Sequence, residues 1–143
     1  MQINKISLDR LSQFETPFYY YDLELLDRTL QAAKLAADKR GFHIHYALKA
    51  NFNDTLLSAI QAVGFGADCV SGNEVQKSID MGFPADKITF AGVGKSDKEI
   101  KMALKHQIFA FNVESIEELQ VIDELAAELG ERANVSLRIN PNV

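Results

Sequence analysis

Short apolar runs alternate along the chain with longer stretches whose hydrophobic residues recur at helical spacing. The aromatic run PFYYYD (17–22) predicts a strand, and Leu26, Leu30, Ala33 and Ala37 after it predict a helix stopped at Gly41. IHYALKA (44–50) predicts the next strand, followed by a helix over DTLLSAIQAVG with Asp54 as its N-cap and Gly64 past its end. Further strands are expected at ADCV, KITFAGV, IFAFNV and NVSLRINP. The stretches NEVQKSIDMGF, SDKEIKMALKHQ and SIEELQVIDELAAELG between them read as helices. Ser115 and Glu118 stand at the spacing of a capping box, which fixes the start of the last helix.

Strands alternating with helices of this length imply βαβ units and a parallel sheet. The expected fold class is α/β, with a strand-to-strand step of about 20–26 residues that suits barrel winding, yet a whole (β/α)8 barrel takes roughly 250 residues. With 143 residues and five or six strands, the chain is either an open flavodoxin-like sheet or the first part of a TIM-type barrel. Strand side chains alternate between faces. Ile44, Tyr46 and Leu48 thus oppose His45, Ala47 and Lys49; Phe109, Phe111 and Val113 oppose Ala110, Asn112 and Glu114; Val135, Leu137 and Ile139 oppose Ser136, Arg138 and Asn140. One bulky apolar face and one small or polar face, repeated over three strands, is unlike a sheet covered on both sides. The polar face either surrounds something bound or is open to water.

Composition narrows the function classes. A formal net charge of −5 argues against nucleic acid or an anionic membrane as partner. One cysteine, Cys69, excludes an internal disulfide and a multi-cysteine zinc site, and inside an apolar strand it reads as a small buried hydrophobe. The N-terminal stretch mixes charged with isolated apolar residues, unlike a signal peptide, and no apolar run reaches the ~20 residues of a membrane span. A cytoplasmic location is the expectation.

Two glycine motifs fail on inspection. AGVGKS has Thr89 where a P-loop needs its leading glycine, and GFGADC has Cys69 at the third glycine of a dinucleotide fingerprint and precedes a strand. Both read as turns between helix ends and strands. His43 and His45, two apart on one predicted strand face, lack a third ligand placed by the sequence. More informative are Lys49, Asp68, Glu114 and Arg138, at or beside the C-terminal ends of predicted parallel strands, where barrels and open α/β sheets place their chemistry. A lysine there is either a solvated strand end or, if desolvated beside apolar surfaces, a free amine able to form a Schiff base.

The segments TPFYYYD, YALKAN, GADCVSGNEV, ITFAGVGKSDKEI, FNVES and RINPN, in this order from Thr16 onward, resemble the group IV pyridoxal-phosphate decarboxylases of the alanine-racemase-like fold type III. The resemblance implies pyridoxal 5′-phosphate as cofactor. Lys49 matches the lysine that bonds to the cofactor aldehyde, and Ala47 the small residue beneath the cofactor. Asp68 matches the acid near that lysine, Glu74 an acid on the following helix, and Arg138 the strand arginine close to the cofactor ring. Residues 1–15 then form a lead-in, and 16–143 the N-terminal portion of the cofactor-binding barrel domain.

The resemblance further implies a C-terminal β-domain, absent from this sequence. The stacking histidine, the glycine-rich phosphate loop and the substrate-binding segment are expected downstream of Val143. The chain therefore resembles an N-terminal fragment, expected to bind cofactor weakly and turn over little on its own. The full-length protein is expected to remove a carboxylate from the small-molecule amino acid meso-diaminopimelate, giving L-lysine and carbon dioxide. The rivals are an ornithine, arginine or carboxynorspermidine decarboxylase, a non-catalytic cofactor-binding barrel, and an α/β binding module without cofactor. Two unclosed sheet edges lead to the expectation of self-association, such as a homodimer.

Overall fold

Five strands pair in parallel in the order of the chain: β1 (His45–Ala47), β2 (Gly66–Cys69), β3 (Ile88–Phe90), β4 (Ala110–Val113) and β5 (Val135–Leu137). The computed structural model describes residues 8–141. Its helices are α1 (Leu8–Leu11), α2 (Leu23–Asp38), α3 (Asp54–Ala62), α4 (Gly72–Asp80), α5 (Asp97–Lys105) and α6 (Ile116–Leu129). A flavodoxin-like sheet reverses its strand order and carries helices on both faces. Here every crossover leads to the adjacent strand, and α2 packs on α3, α4 on α5 and α5 on α6. One helical layer on one face of a sequentially ordered sheet is barrel winding.

The core lies between that layer and the sheet. Ala67, Cys69, Ile88, Phe90, Phe111 and Val113 present the buried strand face to Leu57, Ile60, Val75, Ile100, Leu104, Ile122 and Leu125 from the helices. Each large apolar side chain buried in this way contributes about 1.5–3 kcal/mol. The rings of Phe90 and Phe111 meet at 6.1 Å between centroids in its centre. On the opposite face, register puts Ala47 beside Asp68, Asp68 beside Thr89, Thr89 beside Ala110, and Asn112 beside Ser136. The alternation read from the sequence is thus carried by the register in β1 to β4, whereas in β5 Val135 and Leu137 are exposed like Ser136.

Helix starts share one device. Ser71, Ser96 and Ser115 each precede a glutamate by three residues. Glu99 takes both the N–H and the hydroxyl of Ser96, at 2.9 and 2.7 Å. Glu74 and Glu118 instead reach one residue further back, accepting from the N–H of Val70 and of Glu114, each at 2.8 Å. The expected box at Ser115 is therefore half formed: Ser115 Oγ accepts from the Glu118 N–H, while the carboxylate serves Glu114. The cap of α3 is Asn53, whose Oδ1 accepts from the Thr55 N–H at 3.0 Å; Asp54 is the first helical residue.

Other expectations are corrected. PFYYYD forms no strand; it is irregular as far as Asp22, which is extended and caps α2, and its aromatics are exposed. Phe109 leaves the apolar face: it is 51% exposed and its ring stands 5.7 Å from that of His45. His43 precedes β1, so the two histidines do not share a strand face. AGVGKS follows β3 and leads into α5, so it is no helix stop, whereas Gly64 ends α3 at a φ of 83°. No helix among the described residues is long and apolar enough to cross a membrane, and they contain no group of three or more residues able to hold a metal ion.

Candidate active site

Lys49 lies on a 3₁₀ turn (Leu48–Ala50) that follows β1, so the strand ends two residues before it. Leu48 is fully buried and pins the turn to the core, while Lys49 and Ala50 are exposed. The turn breaks the strand alternation, and the desolvation expected of Lys49 is not what its position shows: the side chain opens to solvent at the carboxyl end of the sheet. No hydrogen bond or ion pair of the Lys49 side chain occurs among the described residues.

The turn borders a wide depression of about 770 Å³, lined by Tyr19, Tyr21, Lys49, Asn51, Asp54 and Lys77 among others. Lys77 on α4 reaches Asp54 at 2.5 Å across it. A smaller hollow, about 370 Å³, opens at the other end of the sheet around His45 and Phe109, away from the strand ends that carry chemistry in this architecture.

Ala47 and Asp68 are neighbours in register on the face that a barrel turns inward. Asp68 Oδ1 accepts from the Thr89 hydroxyl at 3.1 Å, which fixes its carboxylate on that face. Arg138 follows β5 and donates from NH1 to Glu114 Oε2 at 2.9 Å, joining two of the strand-end residues singled out from the sequence. The Arg138 side chain is 64% exposed, so this pair adds little stability. Glu74 stands in the first turn of α4 with its Oε2 on the Val70 N–H. The structure thus joins Ala47 to Asp68 and Arg138 to Glu114, and leaves Lys49 and Glu74 on separate elements.

Cys69 is fully buried on the helix side of β2, 3.3 Å from Ser78 Oγ. Burial pushes its thiol up to about 12 against the lowering effect of the Ser78 hydrogen bond. Such a thiol is no nucleophile at neutral pH. Tyr46, packed against the core, has its phenol pKa raised by burial and by nearby Tyr21.

Sequence reasoning missed Lys95, the lysine of the rejected P-loop match. Its side chain is 1% exposed, and Nζ donates to the Gly92 and Asn112 carbonyls and to Glu118 Oε1 at 2.8, 3.0 and 2.5 Å. The same Glu118 accepts from the Glu114 N–H, so Lys95 braces the loop that presents Glu114 to Arg138. The signal available was its place between two glycines and a helix cap, which was spent on rejecting a phosphate loop.

A parallel sheet in chain order under one helical layer, with small and polar residues on its inner face and a lysine just beyond β1, defines a barrel-type α/β protein. The comparisons make that class specific. Residues 23–143 match the pyridoxal-binding domain of pyridoxal-dependent decarboxylases, and the chain belongs to this family. Diaminopimelate decarboxylase of Bacteroides thetaiotaomicron is 52% identical over 137 residues, which are 95% of this chain and 36% of that protein. The crystal structure of the Helicobacter pylori diaminopimelate decarboxylase, complexed with L-lysine, superposes with a TM-score of 0.83 at 41% identity, covering 96% of this chain and 35% of the other. Ornithine decarboxylase of Entamoeba histolytica gives a TM-score of 0.78 at 28% identity, over 93% of this chain and 41% of the other. The chain spans about a third of the length of the curated relatives it matches. The residues present suit pyridoxal phosphate: Lys49 offers an exposed amine for an aldehyde, and Ala47 and Ala110 keep the inner face low beside Asp68.

Proposed function

We propose that this chain supplies the lysine-bearing part of a diaminopimelate decarboxylase, which converts meso-diaminopimelate to L-lysine and carbon dioxide. The observation that carries the reading is the exposed amine of Lys49 on its turn at the carboxyl end of β1, in a chain of this family. Residues 16–143 form the N-terminal portion of the cofactor-binding barrel in this proposal, and residues 1–15 lead into it. Lys49 would hold the cofactor by its aldehyde, over the small side chain of Ala47. Asp68, fixed by Thr89, places negative charge on the inner face, and Arg138 offers positive charge from the far side of the sheet. Glu74, at the start of α4 with its carboxylate on the Val70 N–H, would add a further acid near that end of the sheet. When bound, pyridoxal phosphate supplies the electron sink for the carbanion left by loss of carbon dioxide.

The likeness to diaminopimelate decarboxylases at 41–52% identity, against 28% for the ornithine enzyme, supports the substrate assignment. The protein acts in the cytoplasm, without nucleic acid or membrane as partner, and as a homodimer whose second copy covers surface left open here. The experiment is borohydride reduction of the full-length protein with pyridoxal phosphate, peptide mapping of the label, and carbon dioxide release from meso-diaminopimelate, ornithine and arginine. Label on Lys49 and release from diaminopimelate alone are expected. Label on another lysine overturns the site, and release from ornithine or arginine instead overturns the substrate.

A further inference from the structure

We infer that Asn51 is a positioning residue, which holds the Lys49 turn in place and ties it to the segment before α2. The inference rests on the reading of Lys49 above and adds a residue to it. A 3₁₀ turn of three residues is weakly held by its own hydrogen bonds. This one gets its hold from the residue that ends it. Asn51 is extended, at φ −169° and ψ 123°, and uses its backbone carbonyl and both ends of its amide. Its carbonyl accepts from the Tyr46 hydroxyl at 3.0 Å, closing YALKAN end to end from β1. Its Oδ1 accepts from the N–H of Asn53, the cap of α3, at 3.0 Å. Its Nδ2 donates to the Tyr21 hydroxyl at 2.8 Å, reaching 30 residues back along the chain.

The direction of these bonds is fixed by chemistry. Asn53 offers only an N–H, so the amide oxygen must face it and the NH2 must face Tyr21. The Tyr46 phenol is protonated at neutral pH and so donates, and burial only raises its pKa further. The motif then reads residue by residue: Tyr46 is the clasp, Leu48 the anchor in the core, Lys49 the free amine and Asn51 the lock. Without the lock, Leu48 still pins the start of the turn, but no side-chain bond sets the direction in which Lys49 leaves it. A reactive amine displaced by about 1 Å can lose roughly a hundredfold in rate.

The test uses the full-length protein with pyridoxal phosphate, in Asn51→Ala and Tyr21→Phe forms. For Asn51→Ala, borohydride fixation at Lys49 should slow at least about tenfold and kcat should fall in proportion, with KM within about twofold. Without cofactor, amide exchange in residues 48–53 should quicken by at least about tenfold, since both side-chain hydrogen bonds of Asn51 are lost, while β2 and β3 keep their protection. Tyr21→Phe, which removes a single hydroxyl, should show the same changes more weakly. Unchanged fixation and unchanged local exchange in Asn51→Ala overturn the inference. If Asn51→Ala loses protection throughout the sheet, Tyr21→Phe decides: a local rise supports the lock and wild-type behaviour overturns it. If the unsubstituted protein takes no label at Lys49, the decarboxylase reading fails, while exchange in 48–53 still decides the role of Asn51.

Discussion

Glu99 on α5 accepts a hydrogen bond from the backbone N–H of Gly72, the first residue of α4, at 2.7 Å. The same carboxylate holds Ser96 at the start of its own helix, so one side chain serves the starts of two neighbouring helices.

These bonds hold the Glu99 pKa below the usual carboxylate value, through the Ser96 backbone and hydroxyl first and the Gly72 N–H next, against a smaller rise from burial. A lowered folded pKa means stability that is present above the unfolded value and lost as pH falls through the folded one. Glu99→Gln should therefore cost about 1–3 kcal/mol at neutral pH. The gap to wild type should close as pH drops below the ordinary carboxylate range. Urea titrations across pH measure this, and a gap independent of pH would refute it.

Gly72 matters for what a methyl would strike. A Cβ there would lie 2.4 Å from Glu99 Cγ and 2.8 Å from its Oε1. Because Glu99 is held by three hydrogen bonds, Gly72→Ala should destabilise by about 1–2 kcal/mol, despite the better helix propensity of alanine. In a Glu99→Ala background the same change should be neutral or stabilising, since the obstacle is gone. A double-mutant cycle reads the coupling directly.

The ion pair of Lys95 and Glu118 is buried enough that removing one partner strands the other. Lys95→Met should cost about 3–5 kcal/mol in chemical denaturation. Lys95→Met with Glu118→Gln should cost less than Lys95→Met alone, because the amide leaves no unpaired charge. Equal losses would show that the carbonyls of Gly92 and Asn112, and not the carboxylate, are the partners that matter.

Cys69 provides a reporter of opening. With no exposure and its thiol pushed up to about 12, it should be silent to a disulfide reagent in the folded protein. Labelling should then follow the opening of the β2 region and speed up in urea. Rapid labelling under native conditions would contradict the burial of this strand face.

Much of this architecture was legible because it depends on periodicity. Alternation in β1, β4 and β5 marked one apolar and one polar face, and the sheet's register reproduces those faces at Ala47, Asp68 and Asn112. PFYYYD was misread because β-propensity describes a side chain's fit to a sheet, and a strand needs a partner ladder that this segment lacks. The helix cap moved from Asp54 to Asn53 because both residue types cap well and the pattern cannot choose between neighbours. Lys49 stands out from its expected place at a strand end, and the structure puts it on the turn two residues beyond β1. The bonds that hold its turn do not stand out in the sequence, since Tyr21 and Asn51 are distant along the chain and meet only in the fold. The link from Glu99 to Gly72 escaped notice for the same reason.

The strand order has a consequence for how the chain is made. Because each strand pairs with the one just before it, every new strand leaving the ribosome meets an edge already synthesised. Among the described strands, β2 to β5 each add to a neighbour already made, and loop-closure costs stay small at each addition. The sheet can therefore grow in the direction of translation, one βα unit at a time. The turn that carries Lys49 is laid down with the first of these units, before β2 to β5 exist.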